Sequence, residues 1–375
     1  MSAIEKANKP APHKMLACDG GGIRGVLSVE IIAEIESRLQ QALGKDDSFV
    51  LADYFDYFAG TSTGAIIAAC LAIGMRADQI RRFYVDSGKQ MFEKSRWYRR
   101  PRYLYENEPL VNLLKQELGE KTQLGDDRVK TLLLMIMRNA TTDSPWPVSN
   151  NPFAKYNATN LPYCNLKFPL WQLVRASTAA PVFFPPEVIQ VGDYPFIFVD
   201  GGITMYNNPA FQLFLIATTE PYNLNWKTGE DQLLLVSIGT GGGAAANAHL
   251  NPDEMNILYN ASSIPSALMG AASVEQDFLC RAFGNCIVGE QIDREVGDMI
   301  GKKGPVTPKL FTYGRFNADL SRAGLNALGL PDIEPGNVQK LDSVDHIGDL
   351  QRVGRAVADQ KVVPNFDTVF GKFLP

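Results

Sequence analysis

The sequence predicts an α/β protein built on a mostly parallel, doubly wound sheet. Two observations carry this. Between Lys14 and Ile73, two strand–glycine turn–helix units follow each other, which is how such a sheet begins. Apolar runs ending in glycine-bearing turns then recur at Asp200-Gly201-Gly202 and Gly239-Thr240-Gly241. At 375 residues the chain has room for one large α/β domain or two ordinary ones. It shows neither internal repeat nor linker, which favours one domain with long insertions.

In chain order, residues 1–13 are polar and proline-bearing and read as a flexible arm. They lack the apolar stretch of a signal peptide. Lys14 to Cys18 reads as a strand stopped at Asp19-Gly20-Gly21-Gly22. Val26, Val29, Ile32, Ile35 and Leu39 fall at helical spacing, with Gly44 as the stop. Tyr54, Phe55, Tyr57 and Phe58 predict a strand into Gly60-Thr61-Ser62-Thr63-Gly64, followed by a helix from Ala65 to Ile73. Residues 76–120 read as helical pieces around a basic and aromatic loop, Lys94 to Tyr103. Val129 to Arg138 is a strand, and Asn139 to Asn165 a long loop. Leu170 to Ala180 is a helix ending at Pro181. Val188–Val191 and Phe196–Val199 are strands. Asn208 and Pro209 suit a helix start. Gln232 to Ile238 is a core strand and Ile264 to Phe283 a long helix. Leu310 to Tyr313 is a late strand, and Val338 to Asp359 a C-terminal helix.

Composition narrows the function classes. Hydrophobic content of 45%, charged content of 21% and a net charge of −5 are ordinary, and give no footing for a nucleic-acid polymer. Five scattered cysteines with no C-x-x-C pair predict neither a disulfide framework nor a metal site. The run Ala65 to Met75 is too short to cross a bilayer. The expectation is a cytoplasmic protein without a cofactor, with peripheral membrane contact left open.

The G-x-S-x-G around Ser62 sits between a strand and a helix, where a serine oxygen is pushed out at a sharp turn. A serine needs a base. The three histidines are poor candidates: His13 lies in the arm, His249 in a polar loop, His346 in the C-terminal helix. Asp200 is the alternative, placed by pattern at the same edge of a parallel sheet as Ser62. A plain turn, with the aspartate bonding its own backbone, explains Asp200-Gly201-Gly202 equally well. Gly20-Gly21-Gly22-Ile23-Arg24-Gly25 formally matches a dinucleotide fingerprint. The expected acidic residue after the second strand is missing, and the same glycines suit an oxyanion loop. Arg24 either orients that loop, holds an anionic group, or is a surface arginine.

Three stretches in this order resemble the patatin-like phospholipases, serine acyl hydrolases related to the catalytic domain of cytosolic phospholipase A2. They are Asp19 to Gly25, Gly60 to Gly64, and Asp200 to Gly202, supported by Ala176 to Pro181 with Phe184-Pro185-Pro186, and by Ser237 to Gly241. The resemblance covers residues 14–243 as a catalytic core and leaves 244–375, read as a helical part packed on it, unassigned. It implies a three-layer α/β/α fold and a dyad, with Ser62 as nucleophile and Asp200 as base. Oxyanion donors would come from the Gly20–Gly25 loop, chiefly the Gly21 and Gly22 N–H groups. It implies fatty-acid release from membrane glycerolipid without a metal. Control by a small ligand such as a cyclic nucleotide, and homo-oligomers, fit the same reading. The Lys94–Tyr103 loop would meet headgroups, or simply fold onto the domain. The rivals are a nucleotide-binding module and a lipid-binding or storage protein.

Overall fold

The computed structural model describes residues 2–95, 103–243 and 257–375. The described strands are β1 (His13–Cys18), β2 (Tyr57–Thr61), β3 (Leu132–Asn139), β4 (Ser144–Ser149), β5 (Glu187–Val191), β6 (Tyr194–Asp200), β7 (Leu233–Ile238), β8 (Asn285–Val288) and β9 (Thr312–Phe316). They form one sheet in the order β5-β6-β3-β2-β1-β7-β9-β8, with β4 also paired to β3. The pairs from β3 through β2, β1, β7 and β9 to β8 are parallel. The pairs β3–β4, β3–β6 and β5–β6 are antiparallel.

The described helices are α1 (Ala3–Asn8), α2 (Gly25–Ala42), α3 (Leu51–Tyr54), α4 (Thr63–Ala72), α5 (Ala77–Met91), α6 (Glu108–Leu118), α7 (Leu170–Ser177), α8 (Ala210–Thr218), α9 (Ile257–Phe283), α10 (Arg322–Ala327), α11 (Pro335–Val338), α12 (Ile347–Val357) and α13 (Val363–Phe370). The two-residue period of the strands splits them between two cores. Leu16, Cys18 and Phe58 pack with α2, α4 and α12 on one face. Met15, Ala17, Tyr57 and Ala59 pack with α8 on the other. Helices on both faces make three layers, and β1, central and buried on both sides, is apolar from Met15 to Cys18.

Several sequence expectations change. The arm at 1–13 is a docked helix followed by the first residue of β1. The buried Asp56 carboxylate gathers it: Lys6 Nζ lies 3.3 Å away, Lys9 Nζ 2.8 Å, and the Lys14 N–H donates at 2.9 Å. His13 is stacked on Trp226 at 3.8 Å, and burial pushes its ring down to about 4. The strand read at Tyr54–Phe58 starts only at Tyr57, because Leu51–Tyr54 makes a turn of helix. The loop read at 139–165 contains β4, whose Pro145 and Pro147 are tolerated because β3 is its only neighbour among the described strands.

The part beyond 243, expected to be helical and packed on the core, also carries strands: β8 and β9 extend the sheet, with Leu234 opposite Thr312 and Ile238 opposite Phe316. The helix read from Val338 is broken and restarts at Ile347. His249 lies outside the described residues. So do Arg96, Trp97, Tyr98, Arg99, Arg100 and Arg102 of the basic loop.

Candidate active site

The register of β1, β2 and β3 levels their C-terminal ends: Cys18 faces Gly60, and Thr61 faces Ile136. Ser62 follows at φ 56°, ψ −124°, a strained conformation for a residue with a Cβ. Two features hold it there. Its N–H donates to Ser177 Oγ at 2.9 Å, and its carbonyl accepts the Ala65 N–H at 2.8 Å as α4 begins. Gly60 and Gly64 let the turn close, since a Cβ on Gly60 would lie 2.0 Å from the Gly64 carbonyl oxygen. Thr61 donates to the Tyr206 carbonyl at 2.6 Å, and Thr63 shares a hydroxyl contact with Tyr84.

Asp200 reaches the serine by a different route from the one its pattern suggested. Strand β6 runs antiparallel to β3, pairing Asp200 with Met137. The aspartate therefore descends onto the serine turn rather than rising beside it. Ser62 Oγ donates to Asp200 Oδ2 at 2.5 Å, across 138 positions of sequence. Asp200 Oδ1 accepts the Gly202 N–H at 2.6 Å. Burial pushes the carboxyl up to about 6, while the serine hydroxyl, the Gly202 N–H and the Arg175 cation pull it back. The plain-turn bond is thus real, and it coexists with the serine contact. His346 bonds Asp349 at 3.2 Å in the C-terminal region, and His13 is stacked in the second core.

The glycine loop lies against both. A Cβ on Gly20 would sit 3.3 Å from Ser62 Cβ. Four of its six N–H groups are spent: Gly20 on Asn207 O, Ile23 on Leu341 O, Arg24 on Gly21 O, and Gly25 on the Gly22 and Ile23 carbonyls. The Gly21 and Gly22 N–H groups have no acceptor among the described residues. Gly22 adopts φ +59° with the Leu341 carbonyl pressed against it, so only glycine fits. Arg24 is tied to the loop by an Nε bond to the Gly21 carbonyl at 3.3 Å.

Sequence reasoning missed three groups. Arg315 of β9 grips Asp19, the residue before the loop, at 2.6 and 3.2 Å, and also reaches Ser237 Oγ at 2.6 Å. Its Nε stands 3.6 Å from Asp277, which Arg281 and Tyr313 hold. Burial raises the Asp19 carboxyl, and Arg315 opposes that. Arg175 is fully buried near Asp200, bonded to Asn107 and to the Pro185 carbonyl. Asn207 is buried with its Oδ1 unpartnered among the described residues. Only Asn207 left a local trace, in the Asn-Asn-Pro of a helix start.

A cavity of about 2200 Å³ opens over Ser62 and Asp200. Its lining includes the apolar Ile66, Met91, Phe92, Leu110, Val182 and Phe184 and the polar Asn317, Arg322 and Lys340.

With fold and geometry in view, the chain belongs to the patatin-like phospholipase family, whose model matches residues 16–214. It is 30% identical over 250 residues to Patatin-17 of Solanum cardiophyllum, covering 60% of each chain. It is 30% identical over 262 residues to Patatin-like protein 1 of Oryza sativa subsp. indica, covering 63% of this chain and 61% of that one. The chain thus matches about three fifths of these relatives' length. Among solved structures, human GIVD cytosolic phospholipase A2 aligns with 97% of this chain and 60% of its own at a TM-score of 0.48 and 11% identity.

Proposed function

We propose that the chain is a lipid acyl hydrolase of phospholipase A type, cleaving fatty acyl esters of membrane glycerolipids through Ser62 and Asp200. The observation that carries this is the bond from Ser62 Oγ to a buried Asp200 oxygen. A carboxyl raised to about 6 is ionised at neutral pH, yet basic enough to take the serine proton. Ser62 Oγ then attacks the ester carbonyl. The free N–H groups of Gly21 and Gly22 supply the oxyanion donors. Asp200 returns the proton to the departing alcohol, leaving an acyl-serine that water hydrolyses. The apolar lining residues suit an acyl chain, and the polar ones a headgroup.

Among the described residues no helix is long and apolar enough to cross a membrane. A cytoplasmic location with transient contact at the membrane surface belongs to this proposal. Control by a small ligand such as a cyclic nucleotide, and self-association, belong to the same proposal. Lipid profiling after incubation with total membrane lipid tests the reaction: the wild type releases fatty acid and lysolipid, and Ser62→Ala releases neither. Full activity in Ser62→Ala would refute the mechanism. Adding cyclic nucleotides to the same assay, with light scattering for oligomers, checks the control.

A further inference from the structure

Among the described residues, Asn207 is a buried polar side chain beside the dyad whose bonding is incomplete. Its main chain anchors the glycine loop, through the Gly20 N–H at 2.9 Å. Its amide nitrogen donates to Ser273 Oγ of α9 at 2.9 Å. The other end, Oδ1, has no partner among the described residues, although the side chain is only 4% exposed. A buried acceptor left open carries an unrepaid desolvation cost, so such atoms usually have a partner in the working state.

The surroundings of this oxygen say where that partner comes from. A Cβ on Gly20 would lie 2.3 Å from it and 3.3 Å from Ser62 Cβ. A Cβ on Gly202 would lie 2.8 Å from it and 3.0 Å from Asp200 Oδ1. The oxygen is therefore flanked by the two glycines that border the dyad. Neither has a side chain to cover it, and Asn207 lines the same cavity as Ser62 and Asp200.

We propose that Asn207 is a catalytic residue for deacylation: its Oδ1 holds the water that hydrolyses the acyl-serine. This rests on the dyad reading above. The chemistry assigns both hydrogens of that water. One is donated to Asn207 Oδ1 and stays with the water oxygen. The other passes to Asp200 Oδ2 as the oxygen attacks the acyl carbonyl. The tetrahedral intermediate then expels Ser62 Oγ, which takes the proton back from Asp200 and leaves a free carboxylic acid. An amide oxygen suits this role because it accepts without competing for the proton. A carboxylate there would place a second negative charge beside Asp200 and push its pKa further up.

The test separates the two half-reactions. In Asn207→Ala the main-chain bond to Gly20 remains, so acylation proceeds. With an activated fatty acyl ester, kcat should fall by about tenfold to a hundredfold. KM should fall with it, kcat/KM should stay near the wild-type value, and a stoichiometric burst of acyl-enzyme should appear. Ser273→Ala, which frees the amide to turn, should show the same pattern more weakly. Phosphonylation of Ser62 by a fluorophosphonate at the wild-type rate reports an intact dyad in each variant. Equal losses in kcat and kcat/KM would overturn the proposal, since they place Asn207 in acylation or in loop architecture. Unchanged kcat would overturn it too. Loss of labelling in the wild type itself would instead indict the dyad reading.

Discussion

The serine edge of the sheet and the β9 edge reach the same site by opposite means. At the serine edge, backbone does the work. Gly60 and Gly64 let α4 close onto β2, Ser62 takes a strained φ, and Gly22 turns with φ +59° under the Leu341 carbonyl. At the β9 edge, side-chain charge does it. Arg315 crosses β7 to hold Asp19, whose neighbouring glycines carry the free N–H groups. Backbone devices restrict residue type locally and leave letters in the sequence. A buried ion network draws one residue each from distant elements, and any single arginine looks like any other.

Breaking the first edge has the largest effect. Asp200→Asn removes the proposed base, and lipid hydrolysis should drop by about 10³-fold or more, measured as fatty-acid release. A fall of less than tenfold would move the base elsewhere. Breaking the second edge costs stability before chemistry. Arg315→Met leaves Asp19 buried without its cation, and denaturant unfolding should show a loss of about 3–5 kcal/mol. A near-neutral result would mean that water reaches Asp19 and that the grip is incidental.

The Asp200 side should also respond to pH. The Asp200 carboxyl is raised from 3.8 in the unfolded chain to about 6 in the fold. Both states are protonated below the lower value. As pH climbs through that window, ionising the buried group costs the fold about 3 kcal/mol. Asp200→Asn should therefore be more stable than wild type by about that much at alkaline pH, with the gap closing under acid. Equal stability at alkaline pH would show that Asp200 is not desolvated. The smallest effect belongs to Arg175. Replacing it by Met removes a cation that favours the Asp200 carboxylate, so the acid limb of the kcat/KM profile should shift to higher pH. An unmoved limb would confine Arg175 to bridging Asn107 and Pro185.

Much of the serine edge was legible for a physical reason. The β1 and β2 turns need glycines at fixed offsets, and strands buried on both faces need apolar runs. Asp200 was legible as a residue but not as a geometry. Nothing in Phe196–Val199 says that β6 runs antiparallel, because direction is set by the β5–β6 hairpin and its docking on β3. The docked N-terminus was hidden because its lysines read as solvated until Asp56 is known to be buried beneath them. Strand β8 was hidden because four residues beginning with a polar Asn285 carry no period.

The central claim is that a desolvated Asp200 activates Ser62. The rate at which a fluorophosphonate labels Ser62 measures that activation without any lipid interface. In wild type the rate should rise with pH along a single ionisation near 6 and then level off, and in Asp200→Asn it should be low throughout. A wild-type rate that stays flat from about pH 4 to pH 8, or full labelling in Asp200→Asn, would contradict the account.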